Sequence, residues 1–280
     1  MNFPKQTLVV FSVLFSFPLF SQTTHIGGSD TLIYLGQRFA EQYRAKHSTP
    51  HFVVLGVGAD KSEELDIVQT EGSGATGKHV AFPIAVQSIV LYVNKSNPVR
   101  ELSIAEVRKI FLGQITNWKE VGGSDHKINL FAGESTTGTL AYFQQSILRG
   151  EEPYPFEGKS NTHALLEVIA ADPAAIGYGT LDTNPAVRAL KIKSGLTSLA
   201  VEPTIATIRS REYPITRHIY WAVSPNPSRE VKEFCGWALS SEGQLIVEGA
   251  GFEPVLPKER SAGLTRLGLK EAPGVMASVR

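Results

Sequence analysis

Cysteine is almost missing from this chain: among 280 residues there is one, Cys235. No internal disulfide can form, so stability has to come from buried cores. Net charge is missing as well, because Lys plus Arg and Asp plus Glu each number 27. No overall field favours nucleic acid or an anionic membrane surface, no nucleic-acid partner is expected, and any anion site must be local. The seven histidines, at 25, 47, 51, 79, 126, 163 and 218, show no metal-ligand spacing, so neither a metal nor a cofactor is expected. Long apolar runs are confined to the start. Residues 1–22 carry Lys5 and then an apolar run over 7–20, broken by Ser and Pro18 and too short for a comfortable membrane span, which reads as a secretory signal. No cysteine stands near the end of that segment, which argues against a lipid anchor and for a periplasmic or secreted protein.

What is present is the composition of a folded protein, 42% hydrophobic and 19% charged, long enough for one large or two modest domains. Two short turns of Gly, Ser and Thr are its most informative feature: Ile26-Gly27-Gly28-Ser29-Asp30-Thr31 and Gly133-Glu134-Ser135-Thr136-Thr137-Gly138-Thr139. Each lies between an apolar stretch and an amphipathic helical pattern. The first amides of a helix have no partner within it and carry partial positive charge, so such a turn can hold an oxyanion without a full countercharge. One turn of this kind is an ordinary cap; two, about a hundred residues apart, suggest a ligand clamped between two lobes.

The remaining pattern alternates strands and helices, which argues for α/β architecture. Leu32, Leu35, Phe39 and Tyr43 fall at helical spacing, strands are expected at 51–55, 128–131, 175–179 and 219–223, and Ser103-x-x-Glu106 is a capping box opening a helix. Residues 61–70 read as a short helix capped by Ser62, residues 79–94 as buried strands broken at Pro83, residues 229–248 as the last long helix or helix pair, and residues 258–280 as a loosely held tail. Cys235 sits in a helical pattern and reads as a buried structural thiol, and Trp118, Trp221 and Trp237 as core. Gly72-Ser73-Gly74-Ala75-Thr76-Gly77-Lys78-His79 nearly spells a nucleotide P-loop, but His79 stands where Ser or Thr would bind magnesium, so a plain loop is the better reading. Gly133-Glu134-Ser135-Thr136-Thr137 misses the last glycine of a hydrolase elbow, and a phosphoester hydrolase ranks last among the functions weighed.

Several runs are similar to the phosphate-binding proteins of ABC importers, a branch of the two-lobed periplasmic solute-binding proteins. They are Gly28-Ser29-Asp30-Thr31, Phe82-Pro83-Ile84-Ala85-Val86, Ile110-Phe111-Leu112-Gly113-Gln114-Ile115-Thr116-Asn117-Trp118, the turn at 135–139, Ala171-Asp172-Pro173-Ala174-Ala175-Ile176-Gly177-Tyr178 and Trp237-Ala238-Leu239-Ser240-Ser241-Glu242-Gly243-Gln244. The resemblance implies a type II periplasmic-binding-protein fold with lobe one at 24–91 plus 214–256, lobe two at 92–213, a tail at 257–280 and hinges near Tyr92-Val93 and Arg217-His218. It also implies a non-enzymatic, monomeric receptor for phosphate or a similar oxyanion, working with the membrane subunits of an ABC transporter. Carried over, Ser29, Asp30 and Thr31 form one binding turn and Ser135, Thr137, Gly138 and Thr139 the other. Asp30 is expected to turn away from the anion and cap its helix.

Two departures stand out. The family's arginine is replaced by Gly133, and a segment of lobe one is apparently deleted, leaving Asp60 as a stand-in for the family's acidic acceptor. Removing one partner of a buried charged pair costs about 3–5 kcal/mol, so affinity should be weakened unless Lys61, Lys78, Arg209, Arg211 or Arg217 reaches the site. The alternative is a relative that kept the lobes, lost the ligand and serves as an interaction or sensory module.

Overall fold

The computed structural model describes residues 23–29, 32–47, 51–55, 65–71, 79–133, 136–195 and 197–270, with the backbone alone at 136–138. Two five-stranded sheets organise these residues, each over its own hydrophobic core. The first sheet begins with β1 (Thr24–Gly28), followed by helix α1 (Ile33–Arg44) and β2 (Phe52–Val54). It is completed by β3 (Ile67–Glu71), β4 (Val80–Ser88) and β12 (Thr216–Val223), in the order β2-β1-β3-β12-β4. β1 runs parallel to β2 and β3, and β12 is antiparallel to both β3 and β4.

The second sheet repeats the scheme. Its order is β10 (Val187–Ala189), β5 (Val90–Asn94), β9 (Ala175–Gly179), β7 (Asn129–Gly133) and β8 (Glu157–Lys159). β7 lies parallel to both β8 and β9. Helix α3 (Thr136–Ser146) follows β7, and α4 (Thr162–Ala171) separates β8 from β9. A small parallel pair, β6 (Glu101–Ser103) with β11 (Lys191–Lys193), flanks it. Parallel strands need crossover connections, and in such sheets ligands lie beyond the strands' carboxyl ends. The turns after β1 and β7 are both at such ends.

The chain passes from the first sheet to the second at Ser88–Val90 and returns just before Thr216, where Ile89 donates its N–H to the Ile215 carbonyl at 3.0 Å. The two crossings are thus bonded side by side, and they precede the positions expected for hinges: Tyr92-Val93 and Arg217-His218 lie inside β5 and β12. The first core gathers Ile26, Leu35, Phe39, Phe82, Trp221 and Phe234, with Phe39 edge-on to Trp221 at 5.0 Å. The second gathers Val93, Phe111, Phe143, Leu165 and Tyr178, with Phe143 and Tyr178 stacked at 3.9 Å.

Local signals account for much of this. Leu35, Phe39 and Tyr43 are the buried face of α1, and Ser103 with Glu106 closes the reciprocal cap of α2 (Ile104–Phe111). The stretch at 229–249 is a helix pair, α6 (Arg229–Ala238) and α7 (Ser241–Gly249), the second capped by Ser240. Cys235 is fully buried, which raises its thiol well above the usual range and keeps it unreactive, while Trp118 and Trp221 are core residues.

Three expectations are corrected. Ile67–Glu71 is a strand, not the end of a helix: its β-branched Ile67, Val68 and Thr70 suit a ladder between β1 and β12. β4 continues through Pro83 instead of breaking there, because β4 is the sheet's edge and its pairing with β12 shifts register at Ile219/Tyr220, where a missing N–H is tolerated. Residues 257–266 are not a loose tail but helix α8 (Pro257–Arg266), begun by Pro257 in its first turn and by Glu259 accepting from the Leu256 N–H at 3.0 Å. Gly263 lets that helix lie close to Phe82 and Leu239, and Arg266 donates to the Ala81 carbonyl at 2.7 Å.

Candidate functional site

The two glycine-rich turns differ in how much of each is described. Gly28 ends β1 with φ +126°, and a Cβ there would fall 2.0 Å from the Gln69 carbonyl oxygen, so only glycine fits. Directly after it, Ser29 donates its N–H to Gln69 O at 3.1 Å and its hydroxyl to Glu71 Oε1 at 2.9 Å, while its carbonyl accepts from Leu32 N–H at 2.9 Å. Gln69 anchors the following helix: its amide donates to Leu32 O at 3.2 Å and accepts from Trp221 Nε1 at 3.1 Å. Asp30, Thr31, Asp60 and Ser135 lie outside the described residues, and so does the cap expected of Asp30. Thr137, Gly138 and Thr139 fall in the first turn of α3, where main-chain amides have no helical partner, and Thr139 is buried.

What connects the first turn to the helix after the second is Arg217, near the start of β12. Its Nε donates to Gln87 Oε1 of β4 at 2.9 Å, its Nη1 pairs with Glu71 at the carboxyl end of β3, and its guanidinium lies over the ring of Tyr142 in α3 with Cζ 3.9 Å from the centroid. Tyr142 is one helical turn beyond Gly138 and Thr139, on the same face, and belongs to the second core. A chain of contacts therefore runs from Ser29 through Glu71 and Arg217 to Tyr142 in the middle of α3, from the first sheet to the second core.

The electrostatics are those of a half-desolvated site. The Arg217 and Glu71 side chains are 13% and 20% exposed. Burial lowers the Arg217 pKa while Glu71 opposes that shift; an arginine remains a cation under such conditions. Burial pushes the Tyr142 hydroxyl up to about 12, so the ring facing the guanidinium is neutral. Nη2 of Arg217 is buried and has no hydrogen-bond partner among the described residues.

The other basic candidates are elsewhere or outside the description. Arg209, in α5 (Ile205–Arg209), pairs with Glu248 and Glu253 at 3.2 Å each. Arg211 is exposed, and Lys61 and Lys78 are not among the described residues. At Gly133 a Cβ would meet the Thr162 backbone at 3.3 Å, so α4 crowds the position where the family's arginine is expected. Reading the sequence missed Glu71, Gln87 and Tyr142. Gln87 had a usable signal, a lone amide in the apolar run 82–93; Glu71 was hidden by reading 61–70 as a helix.

The two most distinctive runs prove structural. Trp118 donates from Nε1 to Ala174 O at 2.8 Å, and Asn129 reaches Asp172 at 2.9 Å, so the runs at 110–118 and 171–178 pack together in the second half.

Two α/β sheets joined by paired crossings, with a charged contact between them at the strands' carboxyl ends, define a two-lobed ligand-binding fold. The chain belongs to the PBP superfamily, whose domain matches residues 23–242. Within it the likeness is to phosphate-binding proteins of the PstS type. The phosphate-binding protein PstS of Bacillus subtilis is 32% identical over 202 residues, 71% of this chain and 65% of that protein. PstS of Pseudomonas aeruginosa is 22% identical, with 86% of each chain covered. A crystal structure of a possible phosphate-binding protein from Planctomyces limnophilus superposes with a TM-score of 0.79 at 25% identity, covering 89% of this chain and 98% of the other. That of an ABC-type phosphate transport receptor from Vibrio cholerae gives 0.66 at 24% identity, covering 84% and 100%, a likeness of fold.

Proposed function

We propose that this protein is a receptor for phosphate or a chemically similar oxyanion, exported from the cytoplasm and supplying an ABC importer without catalysing a reaction. The observation that carries the reading is the contact chain Ser29–Glu71–Arg217–Tyr142, which links the end of β1 and the end of β3 to the middle of α3, one turn beyond Gly138 and Thr139. Asp30, Thr31, Ser135, Thr137, Gly138 and Thr139 supply hydroxyls and turn or helix-start amides, while Ser29, whose N–H and hydroxyl are taken by Gln69 and Glu71, holds the first turn in place; a tetrahedral anion is the ligand such donors suit. Glu71 is the acidic group that the described residues bring to Ser29 and Arg217. The lobes are the residues around the two sheets, hinged at 88–90 and 213–216, and closure is a population shift produced by a ligand touching both. No described helix is long and apolar enough to cross a membrane, and export rests on the signal read in residues 1–22.

The test is calorimetry of the mature protein with phosphate and with sulfate, alongside a thermal melt. Saturable heat and a raised Tm with phosphate are expected. No heat and no shift at millimolar phosphate would overturn the reading, and a folded, phosphate-insensitive protein would fit the interaction-module alternative.

A further inference from the structure

An oxyanion entering a half-buried cleft needs either a dense set of donors or a positive charge, and position 133 holds no arginine. We infer that Arg217 is the charged ligand of the anion, delivered from the return strand of the first sheet and not from the turn before α3. This inference rests on the oxyanion reading above and names the residue that gives the site its charge.

The bonding of the guanidinium makes the case. Nε is held by Gln87, Nη1 by Glu71, and one face by the ring of Tyr142. A guanidinium has five N–H groups in a rigid plane, and here three of its contacts fix that plane while Nη2 alone is left buried with no acceptor among the described residues. An unmet buried donor on a cation costs more than a typical hydrogen bond contributes, so such an arrangement persists where an acceptor completes it. Its surroundings are suited to an anionic acceptor: the hydroxyl-bearing turn at Ser29 is linked through Glu71, and Tyr142 sits one helical turn from the first amides of α3. Gln87 is itself buried among apolar neighbours of β4, where an amide is costly unless it has a task; orienting Nε is the task it performs.

Placement also couples binding to closure. Arg217 belongs to the first sheet and Tyr142 to the second core, so an anion on Nη2 acts on a group already in contact with both halves.

The alternative is that Arg217 only neutralises Glu71, and a double variant separates the two. Inorganic phosphate is titrated calorimetrically into the mature wild-type protein, Arg217→Gln, Glu71→Gln and the double variant, each checked for folding by circular dichroism. If Arg217 binds the anion, Arg217→Gln weakens phosphate roughly a hundredfold, and the double variant stays comparably weak although the repelling carboxylate is gone. A double variant that binds phosphate within about threefold of wild type reduces Arg217 to a counterion and overturns the inference while the oxyanion reading stands. Wild-type protein that binds no phosphate overturns both. Should Arg217→Gln not fold, the side-chain Nε–H resonance of Arg217 in ¹⁵N-labelled wild type decides: it shifts on saturation with phosphate, and a resonance that stays still while the amides of 137–139 move overturns the inference.

Discussion

Gln69 illustrates how one polar side chain can hold a site in place from behind. Fully buried in β3, it ties Leu32 at the start of α1 to Trp221 in β12, and its amide nearly fills the space at Gly36, where a Cβ would lie 2.7 Å from Nε2. Gln69→Leu preserves volume but orphans a carbonyl and an indole N–H, each costing about 1–3 kcal/mol, so urea unfolding should show a loss of about 2–6 kcal/mol. The same variant lets the Ser29 turn shift, and phosphate binding should weaken with it. Gly28 is the complementary case: its role was visible in the sequence as a turn glycine, but its reason, a carbonyl from β3 pressed against the missing Cβ, depends on a residue forty-one positions away.

Among the elements, α8 shows why a polar segment need not be a loose one. Its side chains bury little, yet Glu259 reaches His218 of β12, with Oε1 3.1 Å from Nε2, near enough for charge attraction although the two are not aligned for a hydrogen bond. Burial alone would raise the Glu259 carboxyl, but His218, the Leu256 N–H and Arg211 together hold it below its ordinary value of 4.5. A depressed carboxyl contributes stability above its unfolded pKa and loses it as the pH falls through the folded one. Glu259→Gln should therefore destabilise the protein at pH 7, and the difference should shrink as the pH falls through the lowered carboxyl pKa, read as the difference in urea midpoints across an acid pH series. Ser103 and Glu106, and Leu35 with Phe39, were legible because a cap or a helix face depends on residues three or four apart. β3 was not: five residues preceded by Lys61, Glu63 and Glu64 carry too little periodicity to tell a strand from a helix end, and its partners in the sheet decide the matter.

For the molecule as a whole, the contact between Arg217 and Tyr142 matters because it bridges the cleft. A partly buried cation–π pair contributes about 1–2 kcal/mol, so Tyr142→Leu should leave the phosphate-free protein more open, with a larger radius of gyration in small-angle scattering, and should weaken phosphate binding roughly fivefold to thirtyfold. Elsewhere Arg209 with Glu248 and Glu253 links α5 to α7 and the residues just after it, and the Ile89–Ile215 bond joins the crossings themselves. The molecule thus has bonded crossings and a charged contact that spans the two halves.

The amino-acid sequence alone determined that the chain is α/β, where most of its helices begin, which glycine-rich turns could offer free amides, and that no global charge recruits the ligand. Those are properties of neighbours along the chain, written in spacing and composition. Tertiary structure alone decided which groups meet: Glu71, Gln87, Tyr142 and Arg217 come from four different elements, spread over 146 positions between Glu71 and Arg217; the antiparallel pairing of β12 with β3 and β4 sets Glu71, Gln87 and Arg217 side by side, and the packing of α3 brings Tyr142 to them. The physical reason is that sheet register and lobe packing are set by the burial of two cores at once, and no short window of sequence contains that information.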